Sequence, residues 1–223
     1  MTTLLEIQRD GEQRLGIFTL TTDYEIIYAL MDHAAITPDA LQKLTRLSST
    51  ALFARLKRLH HDGVIAGEAH PSDKRSRFYR LSGDMRRLIM NQHKGYMDLV
   101  HRRVSDAEPI GQKLGMYRSY IQKGAAVNHL TADFQILLYL YLKSGLSNLD
   151  ISQVVDVSIT KFHTSLVKLA SMGLIEFDRD PSDGRSKLYR LAALSIGVLD
   201  DLHAGVFEWL KRQAPLPGDK PQV

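Results

Sequence analysis

Apolar residues fall at helical spacing in three successive blocks near the start of the chain, and the same three blocks return 110 residues later. In the first block Tyr24, Ile26, Ile27, Leu30 and Met31 follow Asp23, as Phe134, Ile136, Leu137, Leu140 and Tyr141 follow Asp133. Steps of three and four gather these side chains on one stripe of a helix, with the aspartate expected as its N-cap. A short helix comes next, opened by Pro38 and carrying Leu41 and Leu44; its counterpart runs from Asn148 with Ile151 and Val154. The third helix starts at a good cap, Ser48 or Ser158, and its stripe is Leu52, Leu56 and Leu59, or Phe162, Leu166 and Leu169. It ends at Gly63 or Gly173, where glycine takes the left-handed conformation that terminates a helix. The period then changes: Val64-Ile65 and Leu174-Ile175 lead into a hairpin whose tip carries Pro71-Ser72-Asp73 or Pro181-Ser182-Asp183.

The segment from Leu20 to Leu81 aligns without a gap on Leu130 to Leu191, with 19 of 62 positions identical at an offset of 110. A period this long exceeds a solenoid repeat, so each copy is expected to be a domain with its own core. The order helix, short helix, capped helix, hairpin is that of a winged helix-turn-helix. The fold class expected is therefore mainly α with small β-hairpins (α+β): two tandem winged helix-turn-helix domains joined and packed by long helices. Residues 1–107 make the first unit, 108–213 the second, and the proline-rich 214–223 a disordered tail. Residues 1–18 are a weak helical candidate interrupted by Gly11 and Gly16; at the same offset Leu114, Tyr117, Tyr120 and Ile121 keep helical spacing. Long apolar helices follow each hairpin, Asp84 to about Val104 and Ala192 to about Gln213, and are expected to pack the units together.

Composition narrows the function. The chain has no cysteine, which excludes disulfides, thiol chemistry and cysteine-ligated metal centres. No apolar run is long enough to span a bilayer and no signal pattern opens the chain, so a cytoplasmic protein without a membrane partner is expected. A net charge of +4 permits an anionic partner without requiring one. Its distribution says more: Lys43 to Lys94 holds 12 basic and 4 acidic residues, whereas Gln153 to Arg190 holds 6 and 5. Phosphate neutralisation supplies most sequence-independent affinity, so the first unit is expected to anchor on nucleic acid and the second to contribute less.

A helix-turn-helix lays its second helix in the major groove. The residues opposite the buried stripe are Ser49, Thr50, Ala54, Lys57, Arg58 and His61 in the first copy, and Thr160, Lys161, Thr164, Val167, Lys168 and Ser171 in the second. Hydroxyls suit phosphates and base edges, and lysine or arginine suits guanine or backbone. In the hairpin tips Asp-x-Arg-Ser recurs at Asp73, Arg75, Ser76 and at Asp183, Arg185, Ser186, beside Lys74, Arg77 and Lys187. The aspartate is expected to accept turn amides and to orient the arginine toward the negative potential of a narrow minor groove.

Asp180-Pro181-Ser182-Asp183-Gly184-Arg185-Ser186-Lys187-Leu188-Tyr189-Arg190-Leu191 resembles the wing of the multiple-antibiotic-resistance regulator (MarR) family, and Met172-Gly173-Leu174-Ile175 resembles that family's exit from the recognition helix. The resemblance covers about 20–105 and 130–212. It implies a double-stranded DNA-binding transcriptional regulator, non-catalytic and needing no cofactor, that reads the major groove with its helices and the minor groove with its wing arginines. It also implies a homodimer built on terminal helices and a pocket for a small aromatic acid as effector. Two departures stand out: Lys74 replaces the glycine found at Gly184, and two units share one chain, which suggests an intramolecular pseudo-dimer able to pair further with a second copy. A repressor is the leading reading; a plasmid or phage replication initiator and a winged-helix protein-interaction module are the alternatives. An enzyme is disfavoured, because no phosphate-binding glycine loop, metal-ligand spacing or nucleophile elbow is present. His60, His61 and His163 lack chelating geometry, and Tyr96, Tyr139 and Tyr141 are expected to be packing residues.

Overall fold

The computed structural model describes residues 2–69, 77–101 and 130–213. The first hairpin tip with Asp73, Lys74 and Arg75, the candidate helix with Leu114, Tyr117, Tyr120 and Ile121, and the tail 214–223 lie outside the described residues.

The first segment is a firm helix, α1 (Leu4–Leu15). Thr3 and Glu6 close a capping box, with the Glu6 carboxylate accepting the Thr3 N–H at 2.7 Å and the Thr3 hydroxyl accepting the Glu6 N–H at 3.2 Å. Gly16, at φ 66°, ends it. Gly11 does not interrupt the helix as expected, because its missing side chain is a contact: a Cβ there would stand 2.8 Å from Leu202 Cδ1. Close approach to a neighbouring helix outweighs the roughly 1 kcal/mol that glycine costs inside a helix.

Helices α2 (Thr22–Met31), α3 (Pro38–Leu44) and α4 (Ser49–His61) follow, then β1 (Ile65–Ala69), β2 (Arg77–Leu81) and the long α5 (Gly83–His101). The second unit repeats this as α6 (Ala132–Leu142), β3 (Leu146–Ser147), α7 (Asn148–Ser152), α8 (Ile159–Ser171), β4 (Ile175–Arg179), β5 (Lys187–Leu191) and α9 (Ala193–Arg212). The serine caps are in place: Ser48 accepts the Ala51 N–H at 3.3 Å and Ser158 the Lys161 N–H at 3.4 Å. Gly63 and Gly173 end α4 and α8 at φ 71° and 67°. Both hairpins are antiparallel, with Ile65 opposite Leu81 and Ile175 opposite Leu191, and each takes a third short strand or bridge, Leu146–Ser147 on β5 and Ile36 on Tyr79. The stripes of α4 and α8 are fully buried, as their spacing requires.

One local expectation is corrected. Asp23 and Asp133 are not caps; α2 and α6 are preceded by Thr21 and Thr131, and the Thr131 hydroxyl accepts the Phe134 N–H at 3.3 Å. Both aspartates sit inside the first turn, where a carboxylate still meets the positive end of the helix dipole and is free to bind cations from elsewhere.

The units are joined through equivalent parts. Leu20 forms an antiparallel bridge with Leu130, its own counterpart at the offset of 110, and the Thr131 N–H donates to the Thr19 carbonyl at 3.0 Å. Likewise α5 packs on α9, which is its copy. A contact in which each element meets its own copy is what a two-fold axis produces. Across it α1 lies along α9, close enough that a Cβ on Gly205 would reach 2.9 Å from Ile7 Cγ2. Trp209 of α9 is 1% exposed and its indole N–H donates to Asp32 of the first unit at 2.7 Å.

Candidate nucleic-acid interface

With Leu52, Leu56 and Leu59 turned inward, the far side of α4 stands in solvent: Ser49, Thr50, Ala54, Lys57, Arg58 and His61 are all exposed. The same holds on α8 for Thr160, Lys161, Thr164, Val167, Lys168 and Ser171. The sequence-derived faces are thus brought together on two solvent-facing helices.

Two of these residues are already ion-paired. Arg58 is ion-paired to Asp23, which also binds Arg55 at 3.1 Å. Lys168 is paired to Asp133 at 2.7 Å. The misassigned caps are therefore clamps that fix each exposed helix to the helix behind it, and they hold these cations at the flank of the face rather than at its centre. Arg55 was missed by face counting. The signal that could have found this device was the identity of Asp23 and Asp133 at the repeat offset, 35 residues before the cations at Arg58 and Lys168.

The turn ahead of α4 is held from beneath. The Arg46 N–H donates to Glu25 at 3.1 Å, its guanidinium meets Glu25 and, at 2.9 Å, Glu12, and it lies 3.9 Å over the Phe18 ring. Burial holds the Arg46 guanidinium below its ordinary value, opposed by the Glu12 charge. Glu12 also accepts the Thr19 N–H at 2.7 Å. One buried carboxylate thus ties the helix-turn-helix to the strand that pairs with the other unit.

In the second hairpin tip the Asp183 carboxylate accepts the Arg185 N–H at 3.1 Å and the Ser186 hydroxyl at 2.8 Å. Asp180 accepts both the Ser182 hydroxyl at 2.7 Å and its N–H at 2.8 Å, which hold the Asp180 carboxyl below the usual range. The expectation that Asp183 accepts a turn amide matches the geometry; the expected orienting of the guanidinium does not, since Asp183 touches Arg185 through the backbone. The Arg185 side chain is exposed, and Lys187 stands 3.8 Å over the Phe177 ring. Arg77 is exposed at the head of β2. Among the described residues no group of three His, Asp or Glu could hold a metal ion, and no helix is long and apolar enough to cross a membrane.

A family model described as winged helix-turn-helix DNA-binding matches residues 20–66 and, independently, 130–176. The chain carries two winged helix-turn-helix domains. No curated protein sequence matches it. Solved structures with partial likeness include the PcaV transcriptional regulator of Streptomyces coelicolor in complex with its natural ligand, at 24% identity and TM-score 0.31 over 35% of this chain. The chain spans about half of that relative, 55% of its length. The S. aureus MepR–DNA complex matches at 19% identity and TM-score 0.33, over 46% of this chain and 79% of the other. The apo form of wild-type MarR from E. coli matches at 16% and 0.34, over 48% and 81%. Overlaps of this size leave the question of what the winged-helix chain binds to its own residues.

Proposed function

We propose that the chain is a sequence-specific, double-stranded DNA-binding transcriptional regulator of the MarR type, a repressor that works as a single-chain pseudo-dimer. The observation that carries this reading is the placement of two exposed, equivalently capped helices on either side of a contact in which Leu20 meets Leu130. Two equivalent helices related by such a contact suit a duplex with two half-sites. In this reading Ser49, Thr50, Ala54, Lys57 and Arg58 of α4, and Thr160, Lys161, Thr164 and Lys168 of α8, enter successive major grooves. Asp73, Lys74, Arg75 and Arg77, with Asp183, Arg185 and Lys187, form the wings, their arginines reaching minor grooves. No cofactor is required. A small-molecule effector is a further partner in this reading; the cavity lined by Gln8, Tyr28, His93, Tyr96, Phe134 and His203 among the long helices measures about 20 Å³, room for one water and not for an aromatic acid.

Selection of the full chain against randomised duplex DNA tests the reading: an enriched sequence is expected, and none would overturn it. On the recovered duplex Arg75→Ala should weaken binding by roughly 1–3 kcal/mol and lower the salt slope by about one. Arg185→Ala should do less, because the first unit carries the larger excess of positive charge.

A further inference from the structure

The outward faces of α4 and α8 occupy the same place in their units but differ in chemistry. Turning 100° per residue gathers Thr50, Ala54, Lys57 and His61 on the central strip of α4, and Thr160, Thr164, Val167 and Ser171 on that of α8. All eight are exposed. Lys57 gives the first strip a cation at its middle; Val167, at the equivalent position, gives the second a bare aliphatic group that is 70% exposed. The neighbouring Thr164 hydroxyl donates back to the Thr160 carbonyl at 2.9 Å, so Thr164 has its methyl group and an acceptor oxygen left to offer. The nearest cation of the flank, Lys168, is held by Asp133.

A valine this exposed adds nothing to the core of its own unit. Base-pair edges in the major groove are polar except for one feature, the C5-methyl group of thymine, which side chains read by apolar contact. We infer that α8 reads its half of the DNA site through thymine methyl groups packed on Val167 and Thr164. On α4, Lys57 reads the other half through polar acceptors, so the target has two unlike halves. This rests on the DNA-binding reading above and gives it a base-level content. Val167 is the specificity residue of the second unit.

The experiment uses the duplex recovered by selection with the full chain. Replacing thymine by uracil removes the methyl group and leaves every hydrogen-bonding group in place. In the half covered by α8, each contacted thymine so replaced should weaken binding about fourfold, the worth of one buried methyl group. The same replacement in the other half should have a smaller effect, confined to any thymine lying against the methyl groups of Thr50 and Ala54 or the Phe53 ring, which is 51% exposed. Val167→Ser should lose the sensitivity to uracil at the thymine packed on Val167 and keep it at a thymine packed on Thr164, with an unchanged melting curve because the Val167 side chain is 70% exposed. Val167→Lys should shift the sequence recovered for that half toward the one selected by α4. An enriched duplex that is indifferent to uracil in both halves, or that is recovered unchanged with Val167→Ser, overturns this inference and leaves DNA binding standing. Failure to enrich any duplex overturns both, and would turn attention to a protein partner for the same face.

Discussion

At the head of α2, Asp23 holds Arg55 and Arg58; at the head of α6, 110 residues on, Asp133 holds Lys168. On the hairpins Glu68 pairs with Arg80, and the equivalent Asp178 pairs with Arg190. Beneath the turns the pattern is kept with different chemistry. The Arg46 N–H donates to Glu25, and the equivalent Asp156 N–H donates to Gln135 at 2.8 Å. In the first unit the acceptor is a carboxylate neutralised by the arginine side chain. In the second, where that arginine has become an aspartate, the acceptor is a neutral amide that spends its other end on the Leu130 carbonyl at 3.1 Å. A buried backbone N–H requires an acceptor, but only a nearby cation permits that acceptor to be charged. The two copies thus show which features the fold needs and which were free to diverge: inner hydrogen bonds persist, while the outward strip changes from Lys57 to Val167.

The largest test of this comparison is whether the two copies stand or fall together. Trp209 belongs to the second unit but is buried against Asp32 and the ring of His93 in the first. Trp209→Ala should cost about 3–5 kcal/mol. Urea unfolding of the parent should remain one transition by circular dichroism and by tryptophan fluorescence. Two separated transitions would show that the units are independent bodies and that the interface adds little.

Next in size is a pH effect expected at the buried His93. His93 and His203 are 110 positions apart and both buried, but His203 has the Tyr96 hydroxyl 2.7 Å from its Nε2, while His93 packs among the rings of Tyr28 and Trp209. Burial lowers the His93 pKa to about 4, from an ordinary value of 6.5. Above pH 6.5 the imidazole is neutral in both folded and unfolded chains and pH has no leverage through it. Between 6.5 and 4 only the unfolded chain takes up the proton, so stability falls as pH falls, by about 3 kcal/mol at the lower end. His93→Leu should flatten the urea midpoint across that window. An unchanged slope would remove His93 as its source.

A reciprocal exchange beneath the turns is expected to cost somewhat less in one direction. Glu25→Gln keeps an acceptor for the Arg46 N–H and leaves Glu12 to neutralise the guanidinium, so a loss of about 1–2 kcal/mol is expected. Gln135→Glu should cost more, because it loses the donor to Leu130 and places a carboxylate beside Asp156. Thermal melts of the two variants decide it, and equal losses would mean that the charge environments of the two turns do not differ as drawn.

Most of this architecture was legible from local pattern. The stripes of α4 and α8, their serine caps and their terminal glycines depend only on residues within a few turns, and all were read correctly. What local pattern could not supply is the partner of a charged side chain. Asp23 and Asp133 look like caps until Arg58 and Lys168, 35 residues on, are folded against them. Asp183 looks like a guanidinium partner until its backbone bonds are seen. The capping box at Thr3 and Glu6 could have rescued the N-terminal helix, but Gly11 reads as a breaker when Leu202, which fills its space, lies 191 residues away. The pairing of Leu20 with Leu130 follows from no periodicity; it is a consequence of symmetry between copies, which becomes visible only when they are placed together.

The smallest expected effect concerns the clamps. Asp23 holds two arginines and Asp133 one lysine, so Asp23→Ala should destabilise more than Asp133→Ala, although each by about 1 kcal/mol or less, because the cations are half exposed and screened. The same substitutions act oppositely on DNA. Removing Asp23 deletes a negative charge beside α4 and frees Arg55 and Arg58, so affinity for non-specific duplex should rise and its salt dependence steepen. Asp133→Ala frees one lysine and should produce the smaller rise. Anisotropy titrations at two salt concentrations measure both. A clamp that serves only to hold the helix would lower stability without moving the salt slope. Movement of the slope in the order Asp23 then Asp133 is the signature of cations held back at the edge of a DNA-reading face.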